Sequence, residues 1–283
     1  VRVISCSENE IPDPQIPPHL SGCGENDSEC FSAYQNHFNE VIQPIHDRFN
    51  AFLAECGEAA YPVGEFFEAS PHMNLLLYPE PVKFNRSTPL DPGQFQYLEG
   101  CVRDEEAYEV PQFKAHNDAP LLYVSFGSLG SGDTGLLRRL MDVVSTMPVR
   151  ALFNVGDYES EYDTVPDNVQ IASWYPQPSV ISQADAVIHH GGNNSFNECL
   201  YFGKPAIIMP YVWDGHDNAK RIAETGHGHH LHRNHWKPKE LRATIESMLS
   251  NQAMQERLAA TSAHMRSEHG PTKAAAILDQ LLI

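Results

Sequence analysis

Two glycine-rich turns carry the residues that could bind an anionic ligand. One reads GSLGSG at 127–132 and follows an apolar run at 121–126. The other reads HGGNNS at 190–195 and lies between an apolar run at 186–188 and a helical pattern. Glycine lets the backbone approach a ligand, and a helix that starts there points free N–H groups at an anion. Because such turns meet at the carboxyl edge of a parallel sheet, the pair favours a nucleotide site.

The polar side chains of the second turn have two interpretations. His190, Asn194 and Ser195 could donate hydrogen bonds to a diphosphate. Alternatively, Asn194 and Ser195 cap the helix, and His190 is a strand-end residue with hydrogen bonds of its own. One turn into the helix, Glu198 could bind both hydroxyls of a ribose. The alternative for Glu198 is an acid favoured by the helix dipole, an effect of roughly a few tenths of a kcal/mol.

Trp174 and Asp214 are the candidates for the two ends of such a ligand. Trp174 precedes Pro176 and Pro178, and an indole at a loop edge can stack on a base. A lone tryptophan is more often part of a core or an interface. Asp214 opens a polar cluster that ends at Asn218 and could bind sugar hydroxyls. The alternative is that Asp214 caps the next helix.

Histidines are crowded near the end of the alternating region, at 227, 229, 230, 232 and 235. Metal binding is conceivable, but no cysteine or pair of acids completes a coordination set. The favoured interpretation is a polar edge strand with His230 and His232 on one face and His229 on the other. We therefore expect no metal site. The sequence also has no Ser-His-Asp, HExxH or P-loop pattern.

Apolar runs alternate with helical patterns from 121 to about 232. Strands are predicted at 121–126, 149–154, 169–171, 186–188 and 205–209. This order predicts an α/β fold in which helices cover both faces of a parallel sheet. Two further helices are expected within 238–269, and a closing helix is expected at 272–283 after the Gly270-Pro271 break.

The first 120 residues have a less regular pattern. A helix is predicted from about 31 to 53 with an apolar face that includes Val41, Ile45 and Phe52, and Pro44 should kink or split it. Short strands are expected at the start of the chain, at 75–78 and at 95–103. Residues 104–120 are polar, lack a period and indicate a linker. The predicted division is 1–103, a linker at 104–118, and 119–283.

Composition limits the possible partners. The 283 residues have a formal net charge of −18, from 37 acidic and 19 basic side chains. We expect no nucleic-acid partner, because phosphate backbones require clustered lysine and arginine. No apolar run is long enough to span a membrane, and a cytoplasmic protein is expected. The chain starts with Val1 in a strand-like run, so a fragment or a processed chain is expected.

Six cysteines are present, at 6, 23, 30, 56, 101 and 199, and none forms a CxxC pair. The favoured interpretation is reduced, buried thiols, as in a cytosolic protein. A disulfide between Cys23 and Cys30 is the less favoured alternative.

The motifs taken together go beyond generic sheet chemistry. They are Trp174-x-Pro-Gln177, His190-Gly-Gly-x-Asn194-Ser195-x-x-Glu198, Gly203-Lys-Pro205, and Pro210-x-x-x-Asp214 followed by Asn218-Ala219. In this combination the chain resembles family 1 UDP-glycosyltransferases, most closely the bacterial natural-product and macrolide type. The resemblance is specific over 119–283. Over 1–103 it is looser, and that part is similar to the second half of the family's acceptor-binding domain.

The resemblance implies a GT-B fold, in which two Rossmann-like domains face each other across a cleft. Residues 119–283 would be a complete donor domain with a closing helix, and residues 1–103 a partial acceptor domain. The implied donor-site residues are Ser128, Trp174, Gln177, His190, Gly192, Asn194, Ser195, Glu198, Asp214 and Gly215.

Each of these residues has an implied role. Trp174 would stack on uracil, and Gln177 would line the ribose and base pocket. Glu198 would hold the ribose hydroxyls, and Asp214 would bind sugar hydroxyls. The diphosphate would be bound by His190, Asn194, Ser195 and the Gly192 backbone, with Ser128 near the phosphates or the acceptor.

The implied reaction is inverting transfer of a hexose from a UDP-sugar to a hydroxyl of a small, apolar acceptor. No cofactor and no obligatory metal are implied. His190 would be the catalytic residue of this chain, by stabilising the diphosphate leaving group. The family's general-base histidine and its orienting aspartate lie in a first segment that nothing in this sequence matches. That segment, cleaved, separate or deleted, is an expected partner, and the chain alone is expected to be inactive.

The sequence departs from the family pattern at Gly215, where a glutamine that helps to read the sugar is usual. The identity of the sugar therefore stays open, as does UDP versus dTDP. Two other functions remain as alternatives: a non-catalytic nucleotide-sugar-binding chain of a two-polypeptide enzyme, and a sugar-nucleotide epimerase with the GT-B fold.

Overall fold

The computed structural model describes residues 1–281, and the last two residues of the predicted closing helix lie outside the described part. A six-stranded, all-parallel sheet forms the larger unit, in the order β6-β5-β4-β7-β8-β9. Its strands are β4 (Leu121–Ser125), β5 (Arg150–Asn154), β6 (Val169–Ala172), β7 (Ala186–His189), β8 (Ala206–Ile208) and β9 (Gly228–His230).

Helices connect these strands, as the alternating pattern predicted. They are α2 (Gly127–Gly130), α3 (Thr134–Val144), α4 (Gln177–Gln183), α5 (Asn193–Tyr201) and α6 (Asp214–Glu224). Three helices follow: α7 (Pro238–Ser250), α8 (Gln252–Arg266) and α9 (Gly270–Leu281). The strands β4, β7 and β8 are buried along their whole length, which is typical of a parallel sheet with helices on both faces. The predicted α/β class is confirmed.

A smaller parallel sheet comes first in the chain, in the order β1-β2-β3. It contains β1 (Arg2–Ile4), β2 (Asn74–Leu76) and β3 (Phe95–Tyr97), with 3₁₀ helices at Glu8–Glu10 and Glu80–Val82. A third 3₁₀ helix, Gly156–Glu161, follows β5 in the larger unit. The strand predicted at 95–103 is shorter than expected, because the chain turns at Gly100, where φ is 63°.

The long helix α1 (Ser28–Glu55) differs from its prediction in two ways. Pro44 lies inside one continuous helix and does not split it. The apolar face is also largely exposed: Val41, Ile45 and Phe52 are 60%, 49% and 59% accessible. Its start follows local rules, because the carboxylate of Asp27 accepts a hydrogen bond from the Cys30 N–H at 3.0 Å.

The favoured interpretation of the cysteines is wrong for four of the six residues. Cys23 and Cys30 form a disulfide that brackets the start of α1, and Cys56 and Cys101 are exposed thiols. Only Cys199 is a buried thiol, and Cys6 is partly buried. The reason is local geometry: the turn that leads into α1 places the two Cα atoms 5.8 Å apart, within the range of a disulfide.

The two sheets are joined through α6 and α9. The buried carboxylate of Asp217 in α6 accepts hydrogen bonds from the N–H groups of Leu20 (2.6 Å) and Gly22 (2.8 Å). From α9, Ile277 packs beside Leu75 and Leu98 of the smaller unit. Among residues 1–281, no helix combines the length and the apolar character needed to cross a membrane.

Replacing Asp217 with alanine should destabilise the protein by about 2–3 kcal/mol, because two backbone N–H groups lose their acceptor in a buried site. Urea denaturation of Asp217→Ala against wild type measures the loss. Asp279→Ala, which truncates an exposed acid on α9, is the matched control and should change the free energy of unfolding by less than about 0.5 kcal/mol. Equal stability of the two variants would contradict the role given to Asp217.

Candidate functional site

A cleft of about 770 Å³ lies at the carboxyl edge of the larger sheet. It is bounded by the segments that follow β4, β5, β6 and β7 and by the starts of α4, α5 and α6. Eight of the ten residues predicted for a donor site line it: Ser128, Trp174, Gln177, His190, Gly192, Asn194, Ser195 and Asp214. Glu198 and Gly215 are buried behind the lining residues.

The imidazole of His190 is held between two glycines. A Cβ on Gly127 would lie 3.0 Å from the ring, and a Cβ on Gly192 would lie 2.6 Å from its Nε2. Side chains at either position would therefore displace the ring. Burial lowers the pKa of His190, so the ring is neutral near pH 7 and keeps one N–H to donate. Its Nδ1 is buried and has no partner at ordinary hydrogen-bond geometry, although an interaction with the Ser125 backbone partly opposes the lowering of the pKa.

Backbone contact joins the turn after β7 to the start of α6. Gly191 has φ 91°, and a Cβ there would lie 2.8 Å from the Gly215 carbonyl oxygen. A Cβ on Gly215 would in turn lie 2.7 Å from the His190 carbonyl oxygen. Glycine at 215 is therefore required by packing, and this residue offers no side chain to a ligand. That is a physical reason for the departure from the family pattern.

The start of α5 points toward the cleft, and the N-cap interpretations of its residues are wrong. The helix starts at Asn193 after Gly192, with no side-chain cap, so Asn194 and Ser195 lie inside its first turn. Asp214 does not cap its own helix either, since its Oδ2 accepts the Asn193 N–H at 3.1 Å. Burial, with a contribution from Asp217, raises the pKa of Asp214 to about 6.

Glu198 forms the centre of a buried polar network beneath the cleft. Its Oε2 accepts a hydrogen bond from Gln177 Nε2 at 2.6 Å, and its Oε1 accepts one from Arg103 Nη1 at 2.9 Å. Gln177 Nε2 also donates to Ser195 Oγ at 3.1 Å. Burial raises the pKa of Glu198, an effect that Gln177 and Arg103 oppose. Each carboxylate oxygen therefore has one partner and keeps a further lone pair, so a ribose hydroxyl could be accepted beside Gln177 and Arg103 or in place of one of them.

Arg103 is a cleft residue that the sequence analysis missed. It immediately precedes the linker and also forms an ion pair with Glu105 at 2.5 Å. The linker has no helix or strand at 104–118 and packs on the larger unit. There the Glu106 carbonyl accepts from Ser179 Oγ, and the Tyr108 carbonyl accepts from Gln183 Nε2. One signal was available: Arg103 is the single basic residue in the acidic segment 101–113.

Trp174 lies at the other end of the cleft and is 56% exposed, so it is not the core residue of the alternative interpretation. Its neighbour Tyr175 is buried and packs edge-on against Tyr123 and Tyr108. The buried tyrosine fixes the loop, while the indole stays free to stack on a planar ligand.

The histidine-rich segment forms the edge strand β9, as favoured, but the strand ends at His230, so His232 lies beyond it. Two groups of side chains in the described part of the chain could hold a metal: Cys6 with Glu10 and His19, and Glu80 with Glu99 and His264. Neither includes the histidines at 227–235, and neither lines the cleft.

Comparisons with known proteins agree on one family. Residues 138–281 match the family model described as erythromycin biosynthesis protein CIII-like, C-terminal domain. An oleandomycin glycosyltransferase from Streptomyces antibioticus is 25% identical over 263 residues, covering 87% of this chain and 60% of that protein. An uncharacterized UDP-glucosyltransferase, YojK, from Bacillus subtilis is 23% identical over 157 residues, covering 55% and 39%. The chain thus spans 39–60% of the length of these two relatives.

Solved structures share the fold. The glycotransferase of kitacinnamycin aligns with a TM-score of 0.75 at 22% identity, covering 89% of this chain and 67% of that one. The calicheamicin glycosyltransferase CalG4 aligns with a TM-score of 0.71 at 22% identity, covering 86% and 60%. The glycosyltransferase VinC, solved in complex with dTDP, aligns with a TM-score of 0.64 at 19% identity, covering 82% and 57%.

The contact between Gly191 and Gly215 can be tested by adding one methyl group. Gly215→Ala should destabilise the protein by about 1–3 kcal/mol, because its Cβ would meet a backbone oxygen that cannot move freely. Gly135→Ala is the matched control: its Cβ meets only Asp133 Oδ1 at 3.8 Å, inside α3. The control should be neutral or slightly stabilising. If both variants unfold at the wild-type urea concentration, the packing requirement at 215 is wrong.

Proposed function

The chain belongs to the erythromycin biosynthesis protein CIII-like family through its C-terminal domain and has the GT-B glycosyltransferase fold, and we propose that it binds the nucleotide-sugar donor of a glycosyltransferase. The observation that carries the proposal is the single cleft that brings together eight side chains and backbone positions singled out from the sequence. The proposed donor is a UDP-hexose, and the proposed acceptor is a hydroxyl of a small, apolar molecule.

The order of strands supports an extended donor. Trp174 follows β6 and Asp214 follows β8, and four strand spacings separate these two strands, a distance of about 19 Å. His190 and the start of α5 lie between them, after β7. A base on Trp174, a diphosphate at His190 and a sugar at Asp214 would follow this order along the edge of the sheet.

The proposed chemistry is inverting transfer. The acceptor oxygen attacks the anomeric carbon as the bond to the diphosphate breaks, and negative charge grows on the leaving phosphate. The neutral imidazole of His190 donates its N–H to that charge, together with the N–H groups of the first turn of α5. Because these donors are fixed before the reaction, they need little reorganisation. The proposed scheme requires no metal.

The proposal assigns no general base to these 283 residues. Acceptor deprotonation is expected from a segment of the whole protein that is not represented here, so this chain alone is expected to bind donor without turnover.

Nucleotide binding and base stacking can be tested together by calorimetry with UDP and dTDP. Trp174→Ala should weaken UDP binding about tenfold, because base stacking on an aromatic ring contributes about 1–3 kcal/mol. Phe52→Ala removes an equally exposed ring from α1, outside the cleft, and should leave the affinity unchanged. If wild type binds neither nucleotide, the proposed function is wrong.

A further titration with dUDP tests the ribose 2′-hydroxyl, because dUDP differs from UDP in that group alone, whereas dTDP also carries a 5-methyl group on the base. UDP should bind more tightly if the carboxylate of Glu198 accepts that hydroxyl beside or in place of its hydrogen bond from Gln177 or Arg103. Equal affinities would contradict the ribose role of Glu198 and leave it as a purely structural carboxylate.

The affinity for the intact donor should depend on pH through Asp214. Its pKa is about 6, so the carboxylate that accepts sugar hydroxyls exists above that pH and is lost below it. UDP-glucose should bind about tenfold more weakly at pH 5 than at pH 7.5. Asp214→Asn should bind weakly at both pH values, with a flatter profile. A wild-type profile that matches that of Asp214→Asn would contradict the assignment of Asp214 to the sugar.

A further inference from the structure

Residues 99–100, just before the linker, cross the junction between α8 and α9 in close backbone contact. Gly100 has φ 63°, and a Cβ there would lie 2.4 Å from the Glu268 carbonyl oxygen. A Cβ on Gly270 would lie 2.4 Å from the Glu99 carbonyl oxygen. Two glycines therefore let two chain segments touch, and the side chains around this crossing are held at fixed positions.

Three potential metal ligands converge at the crossing. They are Glu80 of the second 3₁₀ helix, Glu99 next to Gly100, and His264 in the last turn of α8. One ligand atom from each lies within 4.8 Å of the other two. These residues come from distant parts of the sequence, so their meeting is a product of the fold and no local motif marks it.

The carboxylate of Glu99 lacks a partner for one oxygen. Glu99 is only 4% exposed, and its Oε1 accepts the Glu80 N–H at 2.6 Å. Its Oε2 is buried and has no hydrogen-bond donor. A buried carboxylate oxygen without a donor is destabilising, so native proteins usually supply a donor, a cation or a proton there.

The neighbouring cationic side chains either have other partners or lie too far from Glu99 to donate a hydrogen bond to it. Lys83 pairs with Glu80 at 2.8 Å, and Lys273 donates to the Tyr97 carbonyl at 2.8 Å and pairs with Glu268 at 2.9 Å. His264 Nε2 is 3.8 Å from Glu99 Oε1, beyond hydrogen-bond distance. The crossing therefore holds an excess of carboxylate oxygens beside one imidazole.

We propose that Glu80, Glu99 and His264 bind a divalent cation of the zinc class at this crossing. A point equidistant from three atoms 4.8 Å apart lies about 2.8 Å from each, and zinc bonds of about 2.1 Å need only small side-chain rotations. Glu80 and His264 can make them, because their side chains are 44% and 47% exposed. Water would complete the tetrahedron on the exposed side.

Ligand chemistry favours zinc over the hard cations. Mg²⁺ and Ca²⁺ prefer six or more oxygen ligands, whereas an imidazole with two carboxylates suits Zn²⁺. The exposed pair of Glu80 with Lys83 is a weak competitor, since solvent-exposed ion pairs contribute little stability. The site lies outside the donor cleft. The cation would therefore fix residues 99–100 against α8 and α9 without taking part in sugar transfer.

The test is calorimetric titration of Zn²⁺ into chelator-treated protein in a Cys6→Ser background, which disables the second group of possible ligands. One Zn²⁺ should bind per chain. His264→Gln and Glu99→Gln should each weaken binding at least tenfold, whereas His37→Gln, an exposed histidine of α1, should not change it.

A spectroscopic readout separates a metal site from a protonated Glu99. Co²⁺ bound at this site should give a tetrahedral visible absorption that is lost in His264→Gln and kept in His37→Gln. Absence of one-to-one Zn²⁺ binding by the Cys6→Ser protein, or equal affinity and spectra in the His264 and His37 variants, would overturn the proposal. His264 is half exposed, so its variant should fold and decide the question even if Glu99→Gln does not.

Discussion

The helix α6 buries polar side chains, and the arrangement of the rest of the molecule depends on how they are satisfied. Asp217 accepts N–H groups from residues 20 and 22, and Asn218 Nδ2 donates to the Gly191 carbonyl at 2.8 Å. Arg221 Nε donates to the Val82 carbonyl at 2.7 Å and pairs with Glu25 at 2.9 Å. Buried polar groups are costly without such partners. Two turns of helix therefore link the smaller unit, the turn after β7 and, through Asp214, the cleft.

An anionic ligand of the cleft would have to approach a chain of the same charge sign. A chain with a net charge of −18 repels an anion at long range, so the site relies on oriented N–H groups and few full charges. Among the described residues that line the cleft, Arg103 is the single arginine or lysine, and its charge is partly neutralised by Glu198 and Glu105. The turn glycines, the start of α5 and the neutral His190 supply the remaining attraction at short range.

Part of the fold and of the candidate site follows from local sequence patterns. The alternation from 121 to 232 predicted the larger parallel sheet, and the glycine turns predicted where the cleft lies. The Cys23–Cys30 disulfide and the start of α5 at Asn193 are local features that the patterns did not predict, and the other failures depend on contacts distant in sequence. The period of α1 indicated an apolar face but not whether anything covers it. Glu198 was predicted as a ligand residue, and only the fold reveals Arg103 beside it, 95 residues earlier in the chain. Likewise, no sequence pattern near Gly215 shows that a carbonyl oxygen lies where its Cβ would be.

Arg103 lies immediately before the linker, and its hydrogen bond to Glu198 has a thermodynamic consequence. Glu198 holds the linker through Arg103 and the cleft floor through Gln177, so one carboxylate is shared between two events. If a ligand displaces Arg103 from Glu198, it loosens the segment that carries Arg103, and by reciprocity a displacement of that segment changes the affinity for the ligand. Under the proposed function, donor binding and the mobility of the segment between the two sheets would then be coupled. The ligand affinity of the cleft would then depend on how the smaller and the larger sheet are positioned relative to each other.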